Sequence, residues 1–133
     1  MCAQRSTHAV LSVEDEPFLR LEIVEAFLSA GFHTFEAASA HEAIEILERH
    51  PEIRAVLTDI QMPGTMDGME LAHLIRKRWP PTILVISSGR GGSPEALPAK
   101  ATFLPKPYEE GALFDVVGSI SRQLGDHSVG WGL

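Results

Sequence analysis

Short β-rich apolar runs alternate along this chain with stretches whose apolar residues recur every three or four positions. The first run, His8 to Val13, gives way at once to the acidic residues Glu14, Asp15 and Glu16. Pro17 then suits the first turn of a helix, where its missing N–H leaves no bond unmade. Phe18, Leu21, Val24 and Leu28 follow at helical spacing and predict the apolar face of that helix, with Gly31 as its stop. Phe32 to Ala37 predicts a second strand. Ser39 and Glu42 have the spacing of a capping box, and Ala43, Ile44 and Leu47 give the helix they open its apolar stripe. A third strand covers Ala55 to Thr58 and ends on Asp59. A loop containing Pro63, Gly64 and Gly68 leads from there to a helix over Met69 to Arg78, with Leu71, Leu74 and Ile75 turned inward.

Ile83 to Ile86 is apolar without alternation, as expected of a parallel strand covered on both faces. Thr102 to Leu104 predicts a fifth strand. A last helix opens near Glu109 and Glu110 and carries Leu113, Val116, Val117 and Ile120 as a stripe. One stretch breaks the rhythm. A fourth helix belongs between Gly89 and Lys100, yet Gly91, Gly92, Pro94 and Pro98 fall there, and a proline inside a helix costs about 3 kcal/mol. That helix is expected to be short or irregular. The expected organisation is a single domain over residues 9–125, with an extension over 1–8 and a tail over 126–133.

Composition narrows the function classes. With 133 residues, 44% apolar and 22% charged, the chain is long enough to bury one core. No apolar run is long enough to span a bilayer, and the N-terminus lacks the apolar stretch of a secretory signal. The lone cysteine, Cys2, has no partner within the chain, which makes a reducing cytoplasm the simplest compartment. A net charge of −7 argues against non-specific nucleic-acid binding, which needs cations to displace counterions from phosphates. Arg76, Lys77 and Arg78 read as the solvated end of a helix, where cations suit the macrodipole. His8, His33, His41, His50, His73 and His127 show no metal-ligand spacing and read as surface residues, and Trp79 as a lid over the core edge.

Five strands alternating with helices imply a parallel sheet covered on both faces, and such sheets bind ligands beyond the carboxyl ends of their strands. Glu14 and Asp15, Asp59, Ser87 and Ser88, and Lys106 fall just after strands one, three, four and five, so they are expected to converge on one rim. Carboxylates about 4 Å apart repel by roughly 4 kcal/mol at an effective dielectric near 20, so such a rim either raises a carboxyl pKa or recruits a cation. An all-oxygen donor set favours a hard ion, and Mg²⁺ suits it because it readily takes a phosphate as a further ligand. Lys106 adds a second positive charge. A phosphoryl group between the two would be neutralised from both sides, and a carboxylate can itself be the nucleophile. Asp59, at the end of a buried strand, is the best candidate. Taken singly, an acidic pair also suits a helix N-terminus and a Lys-Pro pair a turn; the order and placement of all four elements carry the inference.

The residues Val10 to Pro17, Leu57 to Pro63, Met66-Asp67-Gly68 and Phe103 to Pro107 together resemble the receiver domains of two-component response regulators, over Ala9 to about Leu124. The resemblance implies a flavodoxin-like, doubly wound (βα)5 α/β fold with strand order 2-1-3-4-5. It implies Asp59 as phosphoacceptor and Glu14 and Asp15 as holders of Mg²⁺, with the Gln61 backbone carbonyl completing the protein's share. Lys106 would contact the phosphoryl group, and its bond to Pro107 is expected to be cis. A hydroxyl at the end of strand four and an aromatic on strand five would act as the switch. Ser87 and Ser88 both qualify as the hydroxyl; the small residue expected next, Gly89, favours Ser88, and Phe103 matches the aromatic.

By the same resemblance, the donor is a sensor histidine kinase or a histidine phosphotransfer protein. The chain would be a signalling domain that catalyses only its own phosphorylation and dephosphorylation. The loop from Met62 to Gly68 is one residue longer than the commonest form. The weak fourth helix falls where many receivers build a dimer or output face, so a homodimer is considered without a dimer geometry. Nothing resembling a DNA-binding or catalytic domain follows the last helix, so a stand-alone receiver is expected, working through a downstream protein or onward relay. Two other classes fit the pattern less well. A flavin-binding protein of similar strand order is disfavoured because Glu14 to Glu16 would repel the cofactor's phosphate. A phosphorylation-independent binding module of the same fold is disfavoured by the full set Asp15, Asp59 and Lys106.

Overall fold

The computed structural model describes residues 8–62, 64, 66–89 and 97–125. Its elements run β1 Ala9–Val13, α1 Pro17–Ser29, β2 His33–Ala37, α2 Ala40–Arg49, β3 Ile53–Asp59, α3 Gly68–Arg78, β4 Ile83–Ser88, β5 Thr102–Pro105 and α4 Ala112–Gln123. The strands form one five-stranded parallel sheet in the order β2-β1-β3-β4-β5. That is the expected α/β architecture. Strand β3 begins two residues earlier than the apolar run suggests, and β4 continues through Ser88. The segment from 90 to 96, which holds most of the expected irregular fourth helix, lies outside the described residues, as do Cys2, Pro63, Thr65, His127 and Trp131.

Alternation along the central strands sorts the core into two layers. Val10, Leu57, Val85 and Leu104 pack with Ile23 and Phe27 of α1 and Leu113, Val117 and Ile120 of α4. Leu11, Val56, Leu84 and Ile86 pack with Ala43 and Leu47 of α2 and Leu71, Ala72 and Ile75 of α3. Trp79 packs at the edge of this second layer, and the Arg78 guanidinium lies over its ring at 4.5 Å.

Caps explain where the first three helices begin. The Glu16 carboxylate accepts the N–H groups of Phe18 and Leu19, and Pro17 takes the first helical position. Ser39 caps α2 through the Glu42 N–H, while the Glu42 side chain reaches back to the N–H of Ala38. Asp67 and Glu70 cap α3 reciprocally, a capping box that follows the same spacing rule as Ser39 and Glu42.

The expected apolar face of α1 needs correction. Phe18 is 82% exposed, Leu21 53% and Leu28 55%, whereas Ile23, Val24 and Phe27 are buried. The helix carries apolar residues on two sides, and spacing alone does not say which side meets the sheet. Of the expected stripe, only Val24 lies inside.

Candidate functional site

The carboxyl ends of β1 and β3 lie side by side where the strand order reverses, the place at which an open parallel sheet leaves a crevice. Glu14 and Asp15 follow β1, Asp59 ends β3, Ser87 and Ser88 end β4, and Lys106 follows β5. The Lys106 ammonium bridges two of these elements. Its Nζ lies 3.1 Å from Glu14 Oε1 and 3.2 Å from Asp59 Oδ2.

Backbone packing fixes the acidic residues. The Glu14 N–H donates to the Ala37 carbonyl at 3.0 Å, and the Arg20 guanidinium donates to the Glu14 carbonyl at 2.8 Å. Arg20 is held in turn by Glu36, at 3.2 Å. The Glu16 N–H donates to the second Glu14 oxygen at 3.1 Å. On the other side, the Gly68 N–H donates to the Ile60 carbonyl at 2.9 Å, bringing the start of α3 against the backbone of Asp59. A Cβ at Gly68 would lie 1.6 Å from the Asp59 carbonyl oxygen, so only glycine fits there.

Both carboxylates that face Lys106 are buried, Glu14 to 1% exposure and Asp59 to 5%. Burial pushes the Glu14 carboxyl above its usual range; the Glu16 N–H and Lys106 oppose that shift, and the charge of Asp59 adds to it. For Lys106, burial works against the ammonium, but Glu14 and Asp59 together outweigh it and hold its pKa above the usual value. Asp59 Oδ1 is buried without a hydrogen-bond partner. A buried anionic oxygen left unpaired is costly, so this atom is poised to accept a ligand.

The same atoms fit a cation. Glu14, Asp15 and Asp59 each offer a carboxylate oxygen, and these lie within 4.8 Å of one another. The donor set is all oxygen, and Asp15 is exposed, so the site opens to solvent on one side. A shallow cleft of about 470 Å³ adjoins it, lined by Asp15, Ile60, Gln61, Met62 and Asp67. Mg²⁺ matches this chemistry.

The two serines part company. Ser88 donates to Gln61 Oε1 at 3.2 Å, on the rim beside Asp59. Ser87 instead lies 3.2 Å from the Tyr108 hydroxyl. Burial pushes the Tyr108 phenol above its usual pKa, against the opposing effects of Ser87 and Lys106. Phe103 is half-buried on β5, in register with Ile86 two residues before Ser88. The Lys106–Pro107 peptide bond is cis, as expected. Tyr108 escaped the sequence reading; its place after Lys106-Pro107 was visible, but its bond to Ser87 depends on which face of β4 each serine takes. His33, His41 and His73 are exposed, and His50 stacks on Phe35 beside Glu52. No described helix is long and apolar enough to cross a membrane.

Comparison with known proteins agrees with this geometry. Residues 10–118 match the model of the response regulator receiver domain. Over 104 residues, 74% of the chain, it is 42% identical to a part of the sensor kinase CckA of Brucella abortus that makes up 11% of that protein. It is 36% identical over 112 residues, 81% of the chain, to the response regulator protein FleR of Pseudomonas aeruginosa, of which the match covers 23%. The chain therefore spans a quarter or less of these two curated relatives. Among solved structures, the CheX-CheY-BeF3-Mg²⁺ complex of Borrelia burgdorferi includes a chain that superposes with a TM-score of 0.75 at 27% identity, over 88% of this chain and 89% of that one.

Proposed function

The chain belongs to the response regulator receiver domain family, and from that premise we propose that it accepts a phosphoryl group on Asp59 from a phosphohistidine donor and uses it to switch a protein contact or pass the group on. One observation carries this reading: a buried carboxylate with one oxygen held by Lys106 and the other without a partner. In the transfer, an Asp59 carboxylate oxygen forms a bond to phosphorus while the phosphorus–nitrogen bond of the donor imidazole breaks. The departing nitrogen keeps that electron pair, and the donor imidazole returns to its neutral form with a proton from solvent.

Lys106, whose ammonium already contacts Asp59, would neutralise charge on the phosphoryl oxygens, and charge stabilisation is the larger part of what phosphoryl transfer asks of a protein. Glu14, Asp15 and Asp59, with the Gln61 backbone carbonyl, form the ligand set for Mg²⁺. That ion, when bound, offsets the remaining negative charge. Ser88 is the switch hydroxyl: after transfer it exchanges Gln61 for a phosphoryl oxygen, and Phe103 follows it on the same face of the sheet. The family generally comprises signalling domains. The catalysis assigned to this chain is limited to its own phosphorylation and dephosphorylation.

The protein donor, a sensor histidine kinase or histidine phosphotransfer protein, needs a surface beside the site. The outer side of α1 offers Phe18 and Leu21 directly after the acidic turn, rimmed by Glu22 and Glu25, and an exposed apolar patch with a polar rim is a common contact surface. The test is intact-protein mass after incubation with acetyl phosphate and Mg²⁺. Gain of one phosphoryl group by the wild type, and none by Asp59→Asn, is expected. A folded wild type that gains none would instead leave a phosphorylation-independent binding module.

A further inference from the structure

Consecutive residues of a strand point to opposite faces of its sheet. Ile86 and Ser88 face the α2 and α3 layer, and Val85 and Ser87 face α1 and α4. Ser87 is fully buried there, with its hydroxyl against that of Tyr108. Three bonds then meet at one dipeptide. The Lys106 N–H donates to the Ser88 carbonyl at 3.0 Å, the Ile60 N–H donates to the Ser87 carbonyl at 2.9 Å, and the hydroxyls of Ser87 and Tyr108 lie 3.2 Å apart. Ser87 is also the register partner of Asp59. The segment carrying the lysine and the strand carrying the acceptor are thus both fastened at Ser87 and Ser88.

Packing does not explain the Tyr108 hydroxyl. The ring lies against the α1 and α4 layer, where phenylalanine would fill the same space. Ser87 is fully buried and Tyr108 half-buried, and such a hydroxyl pair adds little net stability, because replacing both partners by apolar groups of similar shape is close to neutral, whereas removing one strands the other. What the pair does supply is an anchor two residues beyond Lys106. The lysine side chain is long and rotamer-rich, yet its ammonium must stay within reach of both Glu14 and Asp59.

We propose that Tyr108, through its hydrogen bond to Ser87, is a positioning residue that holds Lys106 in register with Asp59 for phosphoryl transfer. It acts on the lysine segment from the face of the sheet opposite Ser88, so it is separate from the switch hydroxyl. The inference rests on the reading of Asp59 as acceptor.

The test compares Tyr108→Phe, Ser87→Ala and the double variant with wild type in three measurements: thermal unfolding, phosphorylation by acetyl phosphate with Mg²⁺, and affinity for beryllofluoride as a phosphoryl mimic. Tyr108→Phe is expected to lower the melting temperature because it strands a buried serine, and the double variant to recover it. Phosphorylation is expected to stay about three- to ten-fold slow in all three variants, chiefly in the maximal rate rather than in the donor concentration for half-maximal rate, with beryllofluoride affinity falling in parallel. Recovery of rate together with stability in the double variant would overturn the proposal and leave the pair a packing feature. Should the double variant melt well below wild type, Ser87→Ala alone decides on the same readouts. A wild type that takes no phosphoryl group would overturn the reading of Asp59 as well, whereas a normal wild type with normal variants would overturn this inference only.

Discussion

Two neighbouring regions of this molecule invert the usual distribution of residues in opposite directions. At the carboxyl edge of the sheet, Glu14 and Asp59 are buried to 1% and 5% exposure. Beside it, on the outside of α1, Phe18 and Leu21 are 82% and 53% exposed. The first inversion is held in place from many directions: Arg20 and the Glu16 N–H on Glu14, the start of α3 on the Asp59 backbone, Lys106 between the two carboxylates. The second follows from the register of a helix whose other side, Ile23, Val24 and Phe27, is buried. An isolated exposed leucine is ordinary, but buried carboxylates next to an apolar surface strip are the pairing expected where chemistry and a partner meet. The acidic edge is thus costly to build, whereas the α1 surface costs little. Substitutions should therefore separate them.

The largest effect belongs to the inner side of α1. Phe27→Ala removes a fully buried ring and is expected to cost about 3–5 kcal/mol in denaturant unfolding; a loss below about 1 kcal/mol would mean that α1 is seated the other way round. Next comes Gly68→Ala. Its methyl group would overlap the Asp59 carbonyl, so the start of α3 must shift, at a cost of about 1–3 kcal/mol. Phosphorylation of Asp59 should fall well beyond what the lost stability explains, and a normal rate in a folded Gly68→Ala protein would show that the backbone contact is not what places the acceptor.

A smaller effect follows from Glu14. Burial raises its pKa in the folded protein above the ordinary 4.5, so the folded state holds that proton more tightly than the unfolded chain. Its contribution to stability is then fullest below the unfolded value and is lost as pH rises through the folded one. Unfolding measured without Mg²⁺ between about pH 4 and pH 7 should show wild type losing stability relative to Glu14→Gln as pH rises. A difference of the opposite slope would contradict the assignment. The smallest stability effect is expected for Phe18→Ser, within about 0.5 kcal/mol of wild type. That variant should accept phosphate from acetyl phosphate normally but more slowly from a phosphohistidine protein, and equal slowing with both donors would remove the partner role from this surface.

Much of this was legible beforehand, for physical reasons. Parallel strands covered on both faces leave continuous apolar runs, and the ends of β1, β3, β4 and β5 marked the rim at which Glu14, Asp59 and Lys106 meet. Contacts between elements were harder to see. The apolar residues on both sides of α1 satisfied the helical period twice, and the side that seats on the sheet is chosen by Val10, Leu57 and Leu113, which no local window contains. The motif glycine Gly68 was evident, but its reason is a backbone atom of another element. The reciprocal cap of Asp67 and Glu70 obeys the same spacing rule as Ser39 and Glu42 and was open to the same reading. Tyr108 had no such signal, since the unbroken apolar run Ile83 to Ile86 does not say which face each serine takes.

The central claim is that the phosphoryl group goes to Asp59 and to no other carboxylate at this crowded edge. An acyl phosphate is reduced by borohydride to the alcohol, which converts a phosphorylated aspartate into homoserine. Peptide mapping of the protein after acetyl phosphate, Mg²⁺ and borohydride therefore names the acceptor directly. The account predicts homoserine at position 59 alone, absent without Mg²⁺; a modification at Glu14 or Asp15 instead would contradict it.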